Sequence, residues 1–147
     1  MANKEVDADL NYNVDDFLLE NVEKADKTEE IHFKRFKSPF VIKQLLASEA
    51  NDLKARATVR KRDRRTNVYR DELDADKYAE LVMVASVVVP NLNDAKLQEN
   101  YGIIGRPEKL LASMLTAGEY NELAQRITDL SGLAGEDSDE LVTEAKN

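Results

Sequence analysis

The chain has 147 residues, of which 34% are charged and 42% are hydrophobic, and its formal net charge is −8. This length favours one domain that buries a core without metal or disulfide staples. The absence of cysteine excludes a disulfide framework, a thiolate nucleophile and a cysteine-ligated metal. An acidic surface also disfavours nonspecific binding to nucleic acids or membranes.

Neither a targeting segment nor a membrane span is predicted. The opening MANKEVDADL lacks the apolar core of a signal peptide. The longest apolar run, residues 81–89, is too short to cross a bilayer as a helix. We therefore expect a soluble, cytoplasmic protein.

The N-terminal region predicts a flexible end and then a weak helix. Residues 1–12 are polar and acidic, and we expect them to be flexible. Asn13 is a good N-cap for a short helix that would end near Ala25. A helix of this length is marginal alone, so it forms only if Phe17 and Leu18 dock on the rest of the protein.

A β-hairpin followed by a helix is predicted next. Residues 29–46 alternate in polarity on both sides of Ser38-Pro39, which is typical of two short strands joined by a turn. An isolated hairpin is marginal in water, so it must lie on a core. Ser48 then serves as N-cap of a helix over residues 49–60.

The middle of the chain predicts a charged connection followed by a buried helix. The segment from Lys54 to Arg70 is rich in arginine, and we interpret it as a loop or a frayed, charged helix end. Asp74 caps a helix over residues 75–89 that is apolar on nearly all sides, which is typical of the centre of a bundle. A buried strand is the alternative, because β-branched residues lower helix propensity. Pro90 ends this element.

The last third predicts three amphipathic helices. Asn93 caps a short helix over residues 94–100. Pro107 begins the second helix, which Gly118 interrupts, and Gly132 ends the third. Their apolar stripes are Leu110, Leu111, Met114 and Leu115, then Tyr120, Leu123, Ile127 and Leu130.

These elements together predict a mostly α fold: a compact helical domain with a small N-terminal β-hairpin. The domain spans residues 13–133, between the flexible N-terminus and a flexible acidic C-terminal tail, residues 134–147.

No residue pattern predicts catalysis, a metal site or a cofactor. The single histidine, His32, is interpreted as a surface residue of a strand, and no second histidine or cysteine completes a zinc site. The carboxylates fall in cap and linker positions, which favours solvated faces over acid–base catalysis. Residues 102–105 lack the ending of a phosphate-binding loop. We therefore predict that the protein is not an enzyme.

The basic segment, residues 54–70, leaves two functions open. Its densest part consists of Arg60, Lys61, Arg62, Arg64 and Arg65. Contact with nucleic acid is one interpretation, although stacking aromatics are few and helix-turn-helix spacing is missing. We favour a solvated segment that contacts acidic residues, either residues 136–140 of the same chain or another copy of the protein.

The sequence resembles the XkdN-like tail assembly chaperones of tailed phages and prophages of Gram-positive bacteria. The matching residues are Pro90, Leu92 and Asn93; Ala95-Lys96-Leu97-Gln98 with Tyr101-Gly102; Pro107-Glu108 with Leu110-Leu111; Met114-Leu115; and Gly118-Glu119-Tyr120. The segments FLLENV and PFVIKQL and the closing EAKN extend the resemblance over nearly the whole chain. The RKRDRR cluster departs from it by being more basic.

The resemblance implies a non-enzymatic chaperone without cofactors. Such proteins bind the phage tape measure protein and keep it soluble before the tail tube polymerises around it. It further implies the host cytoplasm, absence from the mature virion, and the tail tube protein as an additional partner. For the contact surface, Leu110, Leu111, Met114, Leu115 and Tyr120 are candidates, with a purely core role as the favoured alternative.

Two further hypotheses concern the form and the function of the chain. Codons for Ala145-Lys146-Asn147 can contain a slippery heptamer suited to a −1 ribosomal frameshift. The resemblance implies a short and a frameshifted long form, so we expect this chain to be the short form and to associate with its long form. The alternative function is a nucleic-acid-binding phage or regulatory adaptor that uses the basic segment, and its affinity would fall steeply with salt. A structural virion subunit is the third possibility.

Overall fold

The structure, a computed structural model, describes residues 10–133. Within this range the chain forms five α-helices, five strands and two short 3-10 turns. In chain order the helices and strands are β1 (Thr28–Ile31), β2 (Phe40–Lys43), α1 (Ala47–Ala57), β3 (Thr58–Arg62), β4 (Tyr69–Leu73), α2 (Ala75–Ser86), β5 (Val87–Val89), α3 (Ala95–Tyr101), α4 (Pro107–Met114) and α5 (Ala117–Ser131). Most of the predicted flexible N-terminus and the predicted acidic tail lie outside the described residues, so both domain boundaries stay predictions.

The predicted mostly α fold is wrong. The described residues are 48% helical and 17% β-strand, and the strands form two antiparallel sheets rather than one small hairpin. The protein is therefore a mixed α/β protein.

The predicted N-terminal helix does not form as an α-helix. Asn13 acts as an N-cap, since its side-chain oxygen accepts a hydrogen bond from the Asp15 N–H at 3.0 Å, but only a 3-10 turn over Val14–Phe17 follows. The two side chains expected to dock remain exposed, Phe17 by 70% and Leu18 by 42%. Without buried apolar contacts so short a segment cannot offset the cost of helix nucleation.

The predicted first hairpin is present, and it belongs to a three-stranded sheet. Strands β1 and β2 pair with Thr28 opposite Lys43 and Ile31 opposite Phe40. Strand β5 adds to the other edge of β2, which gives the order β1-β2-β5. The helix predicted over residues 75–89 therefore ends at Ser86. Its last three valines are β-branched and favour the extended backbone, and β2 offers them an edge to pair with.

The segment interpreted as a loop or frayed helix end is a second β-hairpin. Strands β3 and β4 pair with Thr58 opposite Leu73 and Arg62 opposite Tyr69. The connecting turn is closed by the Asp63 N–H, which donates to the Val68 carbonyl at 2.9 Å. Helix α1 consequently ends at Ala57, earlier than expected.

Local signals set most of the other helix ends. Asp74 caps α2 as predicted, by accepting from the Lys77 N–H at 3.1 Å. Pro107 opens α4, and Gly102 and Gly132 end α3 and α5 in the left-handed conformation. Three helix starts differ from the prediction. Helix α1 begins at Ala47, so Ser48 lies inside it, and Asp94 rather than Asn93 caps α3. Thr116 caps α5, so Gly118 lies in the first turn of that helix.

A buried glutamine holds the loops on both sides of α3. The Gln98 side-chain amide donates to the Leu92 carbonyl at 2.9 Å, and its oxygen accepts from the Gly105 N–H at 3.0 Å. Gln98 is also part of the motif that carries the family resemblance. In this structure its side chain satisfies backbone groups that would otherwise be unpaired inside the protein.

One hydrophobic core of sixteen buried side chains lies between the three-stranded sheet and helices α2, α4 and α5. Polar contacts attach α5 to the sheet at two places. The Arg126 guanidinium donates to the Glu29 carboxylate at 2.6 Å, and the Leu45 N–H donates to the Ser131 hydroxyl oxygen at 3.0 Å. These contacts fix α5 against β1 and β2, which leaves its other side to face α2.

Candidate partner-binding groove

An apolar groove runs between helices α2 and α5. Its volume is about 270 Å³. Its lining residues are Tyr78, Ala79, Val82 and Met83 from α2, Tyr120, Ala124, Ile127 and Thr128 from α5, and Leu133 after α5. On each helix these residues recur at intervals of three and four, so each helix contributes one continuous face. We call this feature the α2–α5 groove.

The α2–α5 groove has a buried floor and a partly exposed rim. Val82, Met83 and Ile127 form the floor and belong to the hydrophobic core. Tyr78 and Tyr120 stand on opposite helices at the rim, and both are half-buried. Tyrosine pairs a large apolar ring with a polar tip and is common where protein surfaces bind partners. The arrangement can accept apolar side chains and offer hydroxyl groups at the edge.

The electrostatic surroundings of the two tyrosines differ. Burial raises the pKa of the Tyr120 phenol, and the nearby Glu80 carboxylate raises it further. The Lys54 ammonium lies over the ring of Tyr78, with 5.9 Å between the nitrogen and the ring centroid. A tyrosine hydroxyl is protonated at neutral pH even at its ordinary pKa, so the Tyr120 hydroxyl can donate a hydrogen bond to a partner.

The structure separates the five residues predicted to contact a partner. Leu110, Leu111, Met114 and Leu115 lie in the hydrophobic core. Tyr120 alone of the five lines the α2–α5 groove. Four of the candidates therefore belong to the core, and α4, which carries three of them, contacts α2.

Sequence reasoning missed the α2 side of the α2–α5 groove. The predicted helix over residues 75–89 is buried on nearly all sides, which leaves no groove face at Tyr78 or Val82. The charged residues in the first two turns of α2 indicate that this end meets solvent, and Ala79 is exposed. The tyrosine near the start of each helix is the signal that could have identified the rim.

An ion pair between Arg35 and Glu119 positions the start of α5. The Arg35 Nε donates to both Glu119 carboxylate oxygens, at 3.0 and 3.1 Å, and its Nη2 donates to the Met114 carbonyl at 2.8 Å. Glu119 also accepts from the Thr116 N–H at 2.9 Å, which completes a capping box. Because Tyr120 follows Glu119 directly, this network sets the position of the groove rim.

The Arg35–Glu119 ion pair predicts that the free energy of unfolding depends on pH. Hydrogen bonds from Arg35 and then from Thr116 lower the pKa of Glu119 from 4.5 to about 2. A carboxyl whose pKa is lower in the folded state stabilises the fold above its unfolded pKa and loses this effect as pH falls through the folded pKa. We expect urea unfolding to show Glu119→Gln less stable than wild type at pH 6, with the gap closing between pH 4.5 and 2.

The matched control for this prediction is Glu122→Gln on the exposed side of the same helix. It removes the same charge without touching Arg35, so its stability should follow the wild type across the titration. A gap between wild type and Glu119→Gln that stays constant with pH would contradict the assigned role of the ion pair.

The basic residues singled out in the sequence all lie on the second hairpin. Arg60, Lys61 and Arg62 belong to β3, and Arg64 and Arg65 belong to the turn. We call residues 58–73 the basic hairpin, since they hold six basic and three acidic residues.

Contacts within the basic hairpin use part of this charge. The Arg60 guanidinium lies 5.0 Å from the ring centroid of Tyr69, and the Lys61 ammonium lies 3.4 Å from a Glu72 carboxylate oxygen. All ten strand residues are exposed. Both faces of the hairpin are therefore exposed, and its basic side chains stand beside exposed apolar ones from Val59, Tyr69 and Leu73. Its excess of basic over acidic residues is suited to an acidic partner.

The single histidine and the acidic residues are the candidate metal ligands in the part of the chain that the structure describes. His32 is exposed, as predicted, and its ring nitrogen lies 3.6 Å from the Glu30 carboxylate, but the residue follows β1 instead of lying within it. Residues 10–133 contain no group of side chains arranged to bind a metal ion. Among the described helices, none has the length and apolar character needed to cross a membrane.

Comparison with known proteins connects this fold to phage assembly. No curated protein matches the chain. A crystal structure described as that of the protein yqbn, a structural genomics target, superposes with a TM-score of 0.66 at 20% identity over 84% of this chain and 98% of that one. This likeness shows a shared fold.

The family model described as the phage XkdN-like tail assembly chaperone protein matches residues 14–146. Because this match covers almost the whole chain, the protein belongs to the family of XkdN-like phage tail assembly chaperones.

Proposed function

We propose that the protein binds the phage tape measure protein and keeps it soluble during tail tube assembly, and that the α2–α5 groove is the contact surface. Membership of a tail assembly chaperone family supports a partner in the phage tail. The observation that carries the proposal is the apolar groove with a tyrosine on each rim. Amphipathic helices bind grooves of this kind by inserting apolar side chains spaced three or four residues apart.

The dimensions of the α2–α5 groove fit such a helix. The α5 face extends from Tyr120 to Thr128, which is about 12 Å at 1.5 Å per residue. A partner helix places apolar residues one or two turns apart along that length. An apolar stripe that would otherwise aggregate is thereby covered. The net charge of −8 keeps the complex soluble.

The wider role follows the same proposal. The protein acts without catalysis or a cofactor, in the host cytoplasm, and leaves before the virion is complete. The tail tube protein, the frameshifted long form and further copies of the chain are additional partners. The short-form hypothesis is checked at the codons: AAG for Lys146, or no overlapping downstream reading frame, would refute it.

Co-expression with the tape measure protein tests the α2–α5 groove. Ala79→Arg places a long charged side chain at the exposed rim of the groove, and Ala112→Arg places the same group on the exposed side of α4. We expect wild type and Ala112→Arg to recover soluble tape measure protein at high salt. Ala79→Arg should recover at least about tenfold less, which corresponds to 1.4 kcal/mol of binding free energy. Circular dichroism checks that both variants are folded.

Two results would contradict the proposal. Equal recovery with both variants would show that the α2–α5 groove is not the contact surface. An insoluble tape measure protein, together with nucleic acid that salt removes from the purified chaperone, would instead favour the adaptor function of the basic hairpin. Arg60→Glu with Arg62→Glu should then abolish nucleic-acid retention.

A further inference from the structure

Residues 10–22, which we call the N-terminal segment, expose a cluster of apolar side chains. Seven large apolar residues lie in this segment, each at least 42% exposed: Leu10, Tyr12, Val14, Phe17, Leu18, Leu19 and Val22. Local contacts give the segment a defined form, since the Asn21 amide donates to the Asp15 carbonyl at 2.8 Å. The rings of Tyr12 and Phe17 also meet edge to face, with 6.2 Å between their centroids. A cluster of exposed apolar side chains marks an interaction site on a soluble protein.

The two faces of the basic hairpin differ in charge. Directly paired residues of an antiparallel ribbon point their side chains to the same face. The register places these side chains together on the first face, which we call the Arg60 face: Arg60, Arg62, Tyr69 and Asp71. The second face carries Val59, Lys61, Arg70 and Glu72. Asp74 and Asp76 line a pocket with residues of the second face, which adds negative charge on that side. The excess of positive charge therefore lies on the Arg60 face.

The Arg60 face combines unpaired arginines with an aromatic ring. Ion pairs among residues 10–133 use Lys61 from this hairpin but none of its arginines. The Arg62 Nε donates to the Asn67 side-chain oxygen at 2.5 Å, which leaves its terminal nitrogens to a partner. Arginine binds carboxylates and stacks on aromatic rings, and its stem covers apolar groups. The face therefore suits a partner that offers carboxylates and aromatic rings together.

The N-terminal segment offers this combination. Its acidic residues are Asp15, Asp16 and Glu20, it has no basic residue, and it carries two aromatic rings. The flanking residues 23–27 hold two acids and two lysines, so they add no net charge. The basic hairpin has three more basic than acidic residues. The two surfaces are thus opposite in charge and equal in its size, which favours their association.

Within one chain these two surfaces leave each other uncovered. Every residue of the N-terminal segment and all ten strand residues of the basic hairpin are exposed. A two-stranded ribbon without a packed face is marginally stable in water, and so is a short segment without buried contacts. Both surfaces therefore gain from being covered, and in the folded chain only a second molecule can cover them.

We infer that the N-terminal segment of one copy docks on the Arg60 face of a second copy. The carboxylates of the segment lie towards the arginines, and its aromatic rings lie beside Tyr69. Two copies can make this contact reciprocally, each segment lying on the other copy's hairpin. So small an interface belongs to the weak class, so we expect monomers in dilute solution and associated copies in concentrated solution.

Sedimentation equilibrium of the full, nuclease-treated chain tests this contact by exchanging charges. Arg60→Glu with Arg62→Glu should weaken self-association at least about tenfold, because the segment then meets like charges. Asp16→Lys with Glu20→Lys should weaken it equally. An equimolar mixture of the two variants should associate as wild type does, because each segment then meets a face of opposite charge. A wild type that stays monomeric at every concentration would overturn the inference, as would a mixture that stays monomeric.

The second face of the hairpin supplies a matched control. Lys61→Glu with Arg70→Glu changes the net charge by the same amount on the opposite side of the ribbon. We expect this variant to associate within about threefold of wild type at physiological salt, where distant charges are screened. An equal loss of association from both hairpin variants would refute docking on the Arg60 face. Circular dichroism checks that all variants are folded.

A second comparison tests the apolar part of the contact. Phe17→Ser should weaken self-association at least about tenfold, whereas Ile104→Ser should leave it unchanged, although both side chains are 70% exposed. Equal effects of the two substitutions would overturn the inference. Association is measured in the protein alone, without the tape measure protein and away from the α2–α5 groove. Its failure therefore leaves the proposed function to be decided by the Ala79→Arg result.

Discussion

Replacing Phe40 by alanine is expected to lower the free energy of unfolding by about 3–5 kcal/mol. Phe40 is 2% exposed and lies on β2, the central strand of the three-stranded sheet. Its ring packs edge to face against Phe33 and Phe36, with centroid distances of 5.4 and 5.1 Å. The substitution removes the hydrophobic burial and both aromatic contacts, and leaves a cavity that the strands cannot close. Urea unfolding followed by circular dichroism measures the change.

Phe17→Ala is the matched control, since it deletes the same side chain from a 3-10 turn where the ring is 70% exposed. We expect a change within about 0.5 kcal/mol, as for most surface substitutions. The comparison also tests whether the N-terminal 3-10 turn leaves Phe17 undocked. A loss of several kcal/mol for Phe17→Ala would mean that this ring is buried in solution.

Leu110→Ala is expected to cost about 2–5 kcal/mol of folding free energy. Leu110 is fully buried at 0% exposure, within the cluster that joins α4 to α2 and the sheet. Domains of this kind have a total stability of about 5–15 kcal/mol, so the variant loses a large part of it. Chemical denaturation in parallel with tape measure co-purification separates stability from binding. Ile104→Ala serves as control, because its side chain is 70% exposed.

The outcome for Leu110 bears on how binding data should be interpreted. If Leu110→Ala reduces partner recovery only together with stability, its effect is structural, as its position in the core predicts. A variant that keeps wild-type stability and still loses the tape measure protein would show direct contact, and would move the binding surface from the α2–α5 groove to α4.

Local chemistry was enough to predict several helix ends and the first hairpin, while the family was recognised by the resemblance of motifs along nearly the whole chain. Asp74, Pro107 and Gly132 act through bonds or backbone angles within a few residues of themselves, so their roles can be recognised in the sequence. The apolar stripe of α5 is similarly periodic, and Leu123 and Ile127 are buried as its spacing predicts. Each of these features depends on neighbours in the chain.

The strands that were missed depend on partners distant in the sequence. Val87–Val89 form β5 because they pair with the edge of β2 that β1 leaves open, more than forty residues earlier in the chain. The basic hairpin pairs within itself, but all its strand residues are exposed, so no apolar alternation distinguished it from a loop.

The sequence by itself determined that this chain is an acidic member of a phage chaperone family, with amphipathic helices ended by recognisable caps. The tertiary structure decided which apolar residues became core and which became surface. Leu110 and Tyr120 belong to the same kind of helical stripe, yet Leu110 is fully buried in the core while Tyr120 lines the α2–α5 groove. Periodicity gives the face of a helix that is apolar, and only the packing of the other elements determines how much of that face is covered.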